Sequence, residues 1–158
     1  MTVTDRPDNP TITIAELTPD LVSPAAALLA RYLMAQSSSI EHQAACEDRL
    51  MRLLRWPSAQ CFLAGQAGVW AGFASINWGF STSKGQPILR VQDLFVLLAY
   101  RRRGIAKGLL QHLADLGRRH GANRLQLETD TQNRLAQALY SASGFERLLD
   151  KEIYMLFL

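Results

Sequence analysis

The sequence predicts one mixed α/β domain, a central β-sheet flanked by helices, on three observations. An apolar, β-prone stretch at residues 91–96 runs through a basic turn around Gly104 into a segment with helical spacing. Upstream, two apolar segments flank a turn with Gly65 and Gly68 in the pattern of a β-hairpin. The length of 158 residues is that of one domain. Together they predict the element order β-α-α-β-β-β-α-β-α-β-β.

The N-terminal half supplies the first strand, two helices and three further strands. Residues 1–10, with Pro7 and Pro10 among polar residues, predict a disordered leader, which leaves residues 11–158 for the domain. Most of the elements that follow are bounded by proline, glycine or serine signals. They are a strand at 11–16, a helix from Pro19 to the serines at 37–39, a helix at 41–55, and strands at 60–64, 69–78 and 88–96.

The C-terminal half alternates helices with strands. Ile105, Leu109, Leu113 and Leu116 recur at helical spacing, and their helix ends near Gly121. Strict alternation at residues 124–129 is typical of a strand with one buried face. The remaining elements are a helix at 133–143 and two closing strands at 145–149 and 152–158.

Charge and composition exclude several classes of protein. The net charge of +3 is small and much of it lies in one turn, so we expect a local anion site. A nucleic-acid partner would need a broader basic stripe. The N-terminus has no apolar run typical of a signal peptide, and no apolar segment reaches the roughly 20 residues that span a bilayer. We therefore expect a cytoplasmic protein without a membrane partner, and a homodimer stays open.

The cysteines and histidines predict no metal site. Cys46 and Cys61 form no Cys-x-x-Cys pair, and His42 precedes Cys46 by four residues. These three side chains lack a fourth partner that would complete a typical zinc site. We therefore expect no metal cofactor.

The turn at residues 101–107 has the chemistry of a phosphate site. The first turn of a helix has N–H groups without intrahelical partners and carries partial positive charge. A phosphate docked there satisfies both. Gly104 lets a ligand approach the backbone, and three arginines and Lys107 add cationic charge. The pattern fits neither a P-loop nor a dinucleotide fingerprint. A plain basic turn at a helix start is the alternative interpretation.

The last helix carries a polar face beside an apolar one. The polar face comprises Asn133, Ala136, Gln137 and Tyr140, at helical positions i, i+3, i+4 and i+7. The apolar stripe, which we expect to face the core, comprises Leu135, Ala138, Leu139 and Ala142. From spacing alone the polar face is either a ligand surface or a solvated face with one tyrosine.

Two motifs in this order resemble a known superfamily. Arg101-x-x-Gly104-x-Ala106 follows a strand, and Asn133-x-x-Ala136-x-x-x-Tyr140 lies downstream, before Gly144 and Phe145. Their sequence and spacing are similar to the two motifs of the GNAT superfamily of acyl-CoA-dependent N-acetyltransferases. The resemblance covers nearly the whole chain from residue 11. It implies a GNAT fold and an enzyme that uses acetyl-CoA as co-substrate, without a metal.

The resemblance also implies roles for individual residues. The strand before the turn would offer backbone groups of Leu94, Phe95 and Val96 to the pantetheine arm of CoA. Asn133 and Ala136 would lie along the CoA arm, and Tyr140 would be the general acid that protonates the leaving thiolate. The residues that would hold the pyrophosphate are Arg101, Arg102, Arg103, Gly104, Ile105, Ala106 and Lys107.

The acceptor is expected to be a primary amine of a small molecule. Such an amine must lose a proton before it attacks, and a carboxylate can take that proton. Asp93 and Glu128 are the two candidates, each on a strand next to a motif. The stretch around Asp93 looks most like the polyamine and diamine acetyltransferases, which tend to carry Glu-Asp there, whereas this chain has Gln92 before Asp93. Two alternatives stay open: a protein N-terminus or lysine as acceptor, and a CoA-binding regulatory module without turnover.

Overall fold

A computed structural model describes residues 10–36 and 42–158 of the chain. The predicted leader, apart from Pro10, and the predicted break at the three serines lie outside these residues. The described residues form two compact units, one that ends at Glu128 and one that spans Thr129–Leu158. Each unit is described by itself below.

The first unit contains a five-stranded sheet and three α-helices in the predicted order. The bounds follow the sequence signals closely, with short 3₁₀ turns at Pro19–Leu21 and Leu98–Tyr100. The strands are β1 (Ile12–Glu16), β2 (Ala59–Gln66), β3 (Val69–Ser81), β4 (Gln86–Val96) and β5 (Arg124–Gln126). The helices are α1 (Val22–Gln36), α2 (Gln43–Leu54) and α3 (Ile105–Arg119).

The strands lie in the order β1-β2-β3-β4-β5, so neighbours in the chain are neighbours in the sheet. The first three pairings are antiparallel, while β4 and β5 are parallel and are connected through α3. The sheet is therefore mixed, as predicted. The strand β5 stops at Gln126, three residues before the predicted end, because only three rungs join it to β4.

Two apolar layers cover the two faces of the sheet. One layer packs α1 and α2 against strand residues such as Leu63, Phe73 and Phe95. The other packs α3 against Ile76, Leu89 and their neighbours. The helical stripe predicted for α3 is confirmed, since its four residues Ile105, Leu109, Leu113 and Leu116 are buried. The sheet thus positions α3 rigidly behind the basic turn.

A β-bulge in β4 shifts the residues that follow it to the opposite face of the sheet. Ser75 of β3 pairs with Asp93, but Ile76 pairs with Val91, so Gln92 is an extra residue. Val91 is part of the layer under α3, whereas Phe95, two residues beyond Asp93, belongs to the layer under α1 and α2. Without the bulge, residues 91, 93 and 95 would all share one face. Asp93 therefore faces α1.

The second unit contains one helix, α4 (Arg134–Ala142), and no strand among residues 129–158. The helix was predicted correctly, but the closing strands at 145–149 and 152–158 were not. Their alternation indicates a preference for a pleated, half-buried surface, and a strand forms only when a neighbour pairs with it. Here Leu148, Leu149 and the side chains of residues 153–158 are exposed instead.

Candidate functional site

The strand β4 has a free edge along its C-terminal half. Its ladder with β5 consists of three rungs, and the last joins Arg90 to Gln126. Beyond that rung β4 continues to Val96, and no described residue pairs with it on the β5 side. Backbone N–H and C=O groups on such an edge can bind an extended ligand that has amide groups of its own. The free edge contains Leu94, Phe95 and Val96, the three residues predicted to offer backbone groups.

An ion pair lies next to the point where the two strands part. Arg90 donates a hydrogen bond of 2.5 Å to Glu128, two residues beyond the last rung. Both side chains are partly exposed, so the pair is worth little stability by itself. The carboxylate of Glu128, one of the two predicted bases, is therefore occupied by a guanidinium.

The side chains at the end of β4 are buried in the core. Phe95 and Val96 are buried on opposite faces of the sheet, and Leu94 packs under α3 beside Val96. Their backbone groups lie on the free edge, and the backbone role of these three residues stays a prediction. Arg101 closes this end of the strand, because its Nε donates to the Val96 carbonyl at 3.0 Å.

The basic turn after β4 has two residues in the left-handed region. Arg102 has φ 64° and Gly104 has φ 81°. Glycine adopts this conformation without strain, whereas an arginine does so at a cost. The guanidinium of Arg103 lies over the Tyr100 ring, 5.0 Å from its centroid. The three arginines of the turn therefore differ in backbone conformation and in contacts, and all three are exposed.

Gly104 is the N-cap of α3, and no described side chain caps that helix end. The first helical hydrogen bond joins the Gly108 N–H to the Gly104 carbonyl at 2.8 Å. Buried Ile105 anchors the first turn, while Ala106 is half-buried and Lys107 is exposed. The first-turn amides before Gly108 are then available to an anion, which the helix end favours.

Asp93 is held in a hydrogen-bonded network on the α1 face. The Ser75 hydroxyl on β3 donates to Oδ2 at 2.5 Å, and the Tyr32 hydroxyl on α1 donates to Oδ1 at 3.1 Å. Cys61 of β2 lies nearby, and burial, reinforced by the Asp93 charge, raises the pKa of its thiol to about 12. Each oxygen of this half-buried carboxylate therefore accepts one hydroxyl hydrogen bond, which offsets part of the cost of its burial.

The second unit contains the remaining predicted residues. The Asn133 side chain caps α4, since its Oδ1 accepts the Ala136 N–H at 3.1 Å. Tyr140 packs on Phe145 with ring centroids 5.8 Å apart, and burial raises the pKa of its phenol above the ordinary value of 10.0. The phenol therefore keeps its proton at neutral pH.

The apolar stripe predicted for α4 is wrong for three of its four residues, while Leu139 is half-buried. Leu135 is 72% exposed, and Ala138 and Ala142 are exposed as well. The half-buried side includes Ala136, Gln137 and Tyr140, which the spacing had placed on the polar face. A nine-residue helix has few positions, so apolar spacing alone is a weak guide to its buried side.

The family model described as "Acetyltransferase (GNAT) family" matches residues 28–145, about three quarters of the chain. The chain belongs to the GNAT family. The match includes β2 to β5, the basic turn and α4, so it covers both motifs on which the resemblance was based.

Two curated relatives are similar to this GNAT chain over about half of its length. The aminoglycoside N(6')-acetyltransferase type 1 of Salmonella typhimurium is 31% identical over 88 residues, which cover 54% of this chain and 61% of that protein. The thialysine N-epsilon-acetyltransferase of Caenorhabditis elegans is 33% identical over 87 residues, 55% of this chain and 54% of that protein. The chain thus spans little more than half the length of these relatives.

The fold of the GNAT chain is also that of a solved structure. The aminoglycoside N-acetyltransferase AAC(6')-Iy in complex with CoA superimposes with a TM-score of 0.78 at 21% identity. The alignment covers 96% of this chain and 98% of the other. At this identity the likeness establishes the fold alone, and it confirms the predicted fold class.

Sequence reasoning missed two residues of the Asp93 network. Tyr32 and Ser75 lie 61 and 18 residues from Asp93 in the chain, and no short motif connects them. A signal for Ser75 was available in principle, because a serine in an apolar strand needs a polar partner when it is buried.

Among the described residues, no group of three or more His, Cys, Asp or Glu could hold a metal ion. No helix in the described part of the chain is long and apolar enough to cross a membrane.

Proposed function

We propose that this protein transfers the acetyl group of acetyl-CoA to a primary amine of a small molecule. The observation that carries the proposal is the course of β4. Its free edge from residue 91 to Val96 leads directly into the basic turn and the uncapped N-terminus of α3. An extended ligand with amide groups and a diphosphate at one end, such as CoA, matches the groups of this unit in that order.

The basic turn supports the diphosphate end of the proposal. A diphosphate accepts hydrogen bonds from several amides at once, and Gly104 has no side chain in the way. Lys107 and the three exposed arginines reduce the repulsion between the two phosphates. Arg101 also fixes the turn to the end of β4, so the two parts of the proposed CoA site are held together.

Asp93 is our choice for the residue that takes the proton from the amine. Alkyl amines have a pKa near that of lysine, about 10.4, and are mostly protonated at neutral pH. The Asp93 carboxylate follows the bulge on the same strand as the proposed CoA site, and each of its oxygens can accept one more hydrogen bond. Glu128, the other candidate, is paired with Arg90, which favours a role in holding the strands.

Tyr140 is proposed to give a proton to the departing thiolate. When the amine nitrogen attacks the thioester carbon, the C–S bond breaks and the sulfur gains the electron pair. A neutral phenol can donate a proton to that sulfur. The raised pKa keeps Tyr140 in the neutral form over the whole physiological range. The role itself follows from the resemblance of the second motif.

The names of the relatives favour a small acceptor over a protein. The relatives described above are named for acetylating an aminoglycoside and thialysine. A further relative of similar identity is a streptothricin acetyltransferase of Streptomyces lavendulae. All three names describe small molecules with amino groups, which supports the first hypothesis over a peptide acceptor.

The experiment is a panel of amines incubated with acetyl-CoA while the release of free thiol is followed. The panel should contain polyamines, a thialysine, an aminoglycoside, and a peptide with a free N-terminus. We expect thiol release to depend on one of the small amines, with an acetylated product in the mass spectrum. Turnover with the peptide alone would favour the protein acceptor. Tight binding of acetyl-CoA without turnover of any amine would favour the regulatory module.

A further inference from the structure

We infer that Tyr32 and Ser75 are positioning residues that hold the Asp93 carboxylate in one orientation, toward the acceptor amine. This inference rests on the proposed role of Asp93 as the proton acceptor. It assigns functions to two residues that lie outside both sequence motifs.

The geometry of the two donors is complementary. Ser75 reaches Oδ2 from the adjacent strand, and Tyr32 reaches Oδ1 from the helix that covers this face. A carboxylate that receives one hydrogen bond on each oxygen cannot rotate about its last torsion without losing both. The orientation of Asp93 is therefore fixed by the sheet on one side and by α1 on the other.

Both donors are themselves held in place. Tyr32 packs edge-on against Phe73 with ring centroids 5.7 Å apart, and its ring lies 5.6 Å from that of Phe95. Ser75 is buried in the middle of β3. Such packing limits the number of rotamers of each side chain. The two hydroxyls therefore lose little conformational entropy when the amine binds.

The bulge at Gln92 is what makes this network possible. It turns Asp93 away from the α3 layer, where Val91 and Leu94 lie, and toward α1. Regular alternation would have placed Asp93 on the same face as Val91, out of reach of the Tyr32 hydroxyl. The bulge at Gln92 therefore brings Asp93 to the face on which both hydroxyl donors lie.

The test compares Tyr32→Phe and Ser75→Ala with the wild-type protein in kcat for the best amine of the panel and in the KM for acetyl-CoA. Tyr32→Phe keeps the ring that packs on Phe73 and removes only the donor. We expect kcat to fall by about tenfold or more in each variant while the KM for acetyl-CoA stays the same, because the carboxylate is no longer held in one orientation. Tyr154→Phe is the matched control, because its hydroxyl donates to Glu152 on the exposed tail, and its kcat should stay at the wild-type value.

Two results would overturn the inference, and they differ in what they leave standing. If Asp93→Asn lowers kcat by roughly 10²–10⁴ while Tyr32→Phe and Ser75→Ala keep the wild-type kcat, the two hydroxyls have only a structural role. The proposed role of Asp93 then survives. If Asp93→Asn itself keeps the wild-type kcat, the role of Asp93 and the inference fail together. A raised KM for acetyl-CoA with an unchanged kcat in Tyr32→Phe would likewise contradict the positioning role.

Discussion

Gly72 lies so close to Phe95 on the neighbouring strand that a Cβ at position 72 would stand 2.7 Å from the Phe95 carbonyl oxygen. The same Cβ would be 3.1 Å from a methyl of Val96 and 3.4 Å from a methyl of Ile105. Gly72 pairs with Val96, the last residue of β4, directly before the basic turn. Because Gly72 has no side chain, the end of β4, which is the proposed CoA-binding edge, can lie this close to β3.

We expect Gly72→Ala to displace the end of β4 and to cost about 1–3 kcal/mol of folding stability. Acetyl-CoA affinity should fall as well, because the backbone groups of Phe95 and Val96 move. Gly79→Ala is the matched control, since Gly79 lies on the same strand and a Cβ there meets nothing within 4 Å. Thermal unfolding and calorimetric titration with acetyl-CoA measure both effects. Equal behaviour of the two variants would show that the close approach has no such role.

Gly104→Asp tests the diphosphate site. The new carboxylate would stand at the N-cap of α3, where two phosphates are proposed to bind, and we expect acetyl-CoA affinity to fall by about tenfold or more. The left-handed φ of 81° also strains any side chain at this position. Gly85→Asp controls for that strain, because Gly85 has φ 65° and open space around it in the β3–β4 turn. Unchanged affinity in a folded Gly104→Asp protein would rule this site out.

Tyr140→Phe tests the general acid. The change removes the phenol hydroxyl and keeps the ring that packs on Phe145. A positioned acid is worth roughly 10²–10⁴ in rate, so kcat should fall by that factor while acetyl-CoA affinity stays the same. Because burial raises the pKa of Tyr140 above its ordinary value of 10.0, loss of its proton should not lower the wild-type rate at neutral or mildly alkaline pH. Turnover within about twofold of wild type would exclude the role.

The lowered pKa of His112 predicts that the folded protein loses stability at mildly acidic pH. Burial against Phe62 and the Arg119 charge lower its pKa below the ordinary 6.5, outweighing the opposite effects of Asp115 and Glu16. The unfolded chain therefore takes up this proton at a higher pH than the folded protein does. Below pH 6.5 the contribution of neutral His112 to stability is progressively lost.

The measurement is the thermal midpoint at a series of pH values between about 7 and 5. His112→Gln should flatten the dependence, whereas His42→Gln, at an exposed position, should keep it. An NMR titration of His112 should give a pKa below 6.5. An unchanged slope in His112→Gln would contradict the assignment.

Much of the fold could be predicted because its signals are local. Gly65 and Gly68 mark a hairpin, Gly121 follows the end of α3, and the α3 stripe repeats over four turns. The turn could be predicted for the same reason, since Gly104 and the arginines that surround it are adjacent in the sequence. Each of these features depends on residues within one helix, one turn or one hairpin.

The bulge and the C-terminal segment could not be predicted, because they depend on pairing between distant residues. Alternation places Asp93 on the same face as Val91, and only the register with Ser75 reveals the extra residue Gln92. The pattern at residues 152–158 shows what can form a strand, but it does not show whether a partner edge is available. The Tyr32 hydrogen bond spans 61 residues and has no local signal.

The pH profile of kcat/KM for Asp93→Asn tests the central claim most directly, that β4 supplies both the cofactor edge and the base. Glu128→Gln is the parallel variant, because it makes the same change at the carboxylate that is paired with Arg90. The account predicts that Asp93→Asn loses the acid limb and falls in rate by roughly 10²–10⁴, while Glu128→Gln keeps the limb. A wild-type limb and rate in Asp93→Asn, together with loss of the limb in Glu128→Gln, would contradict it.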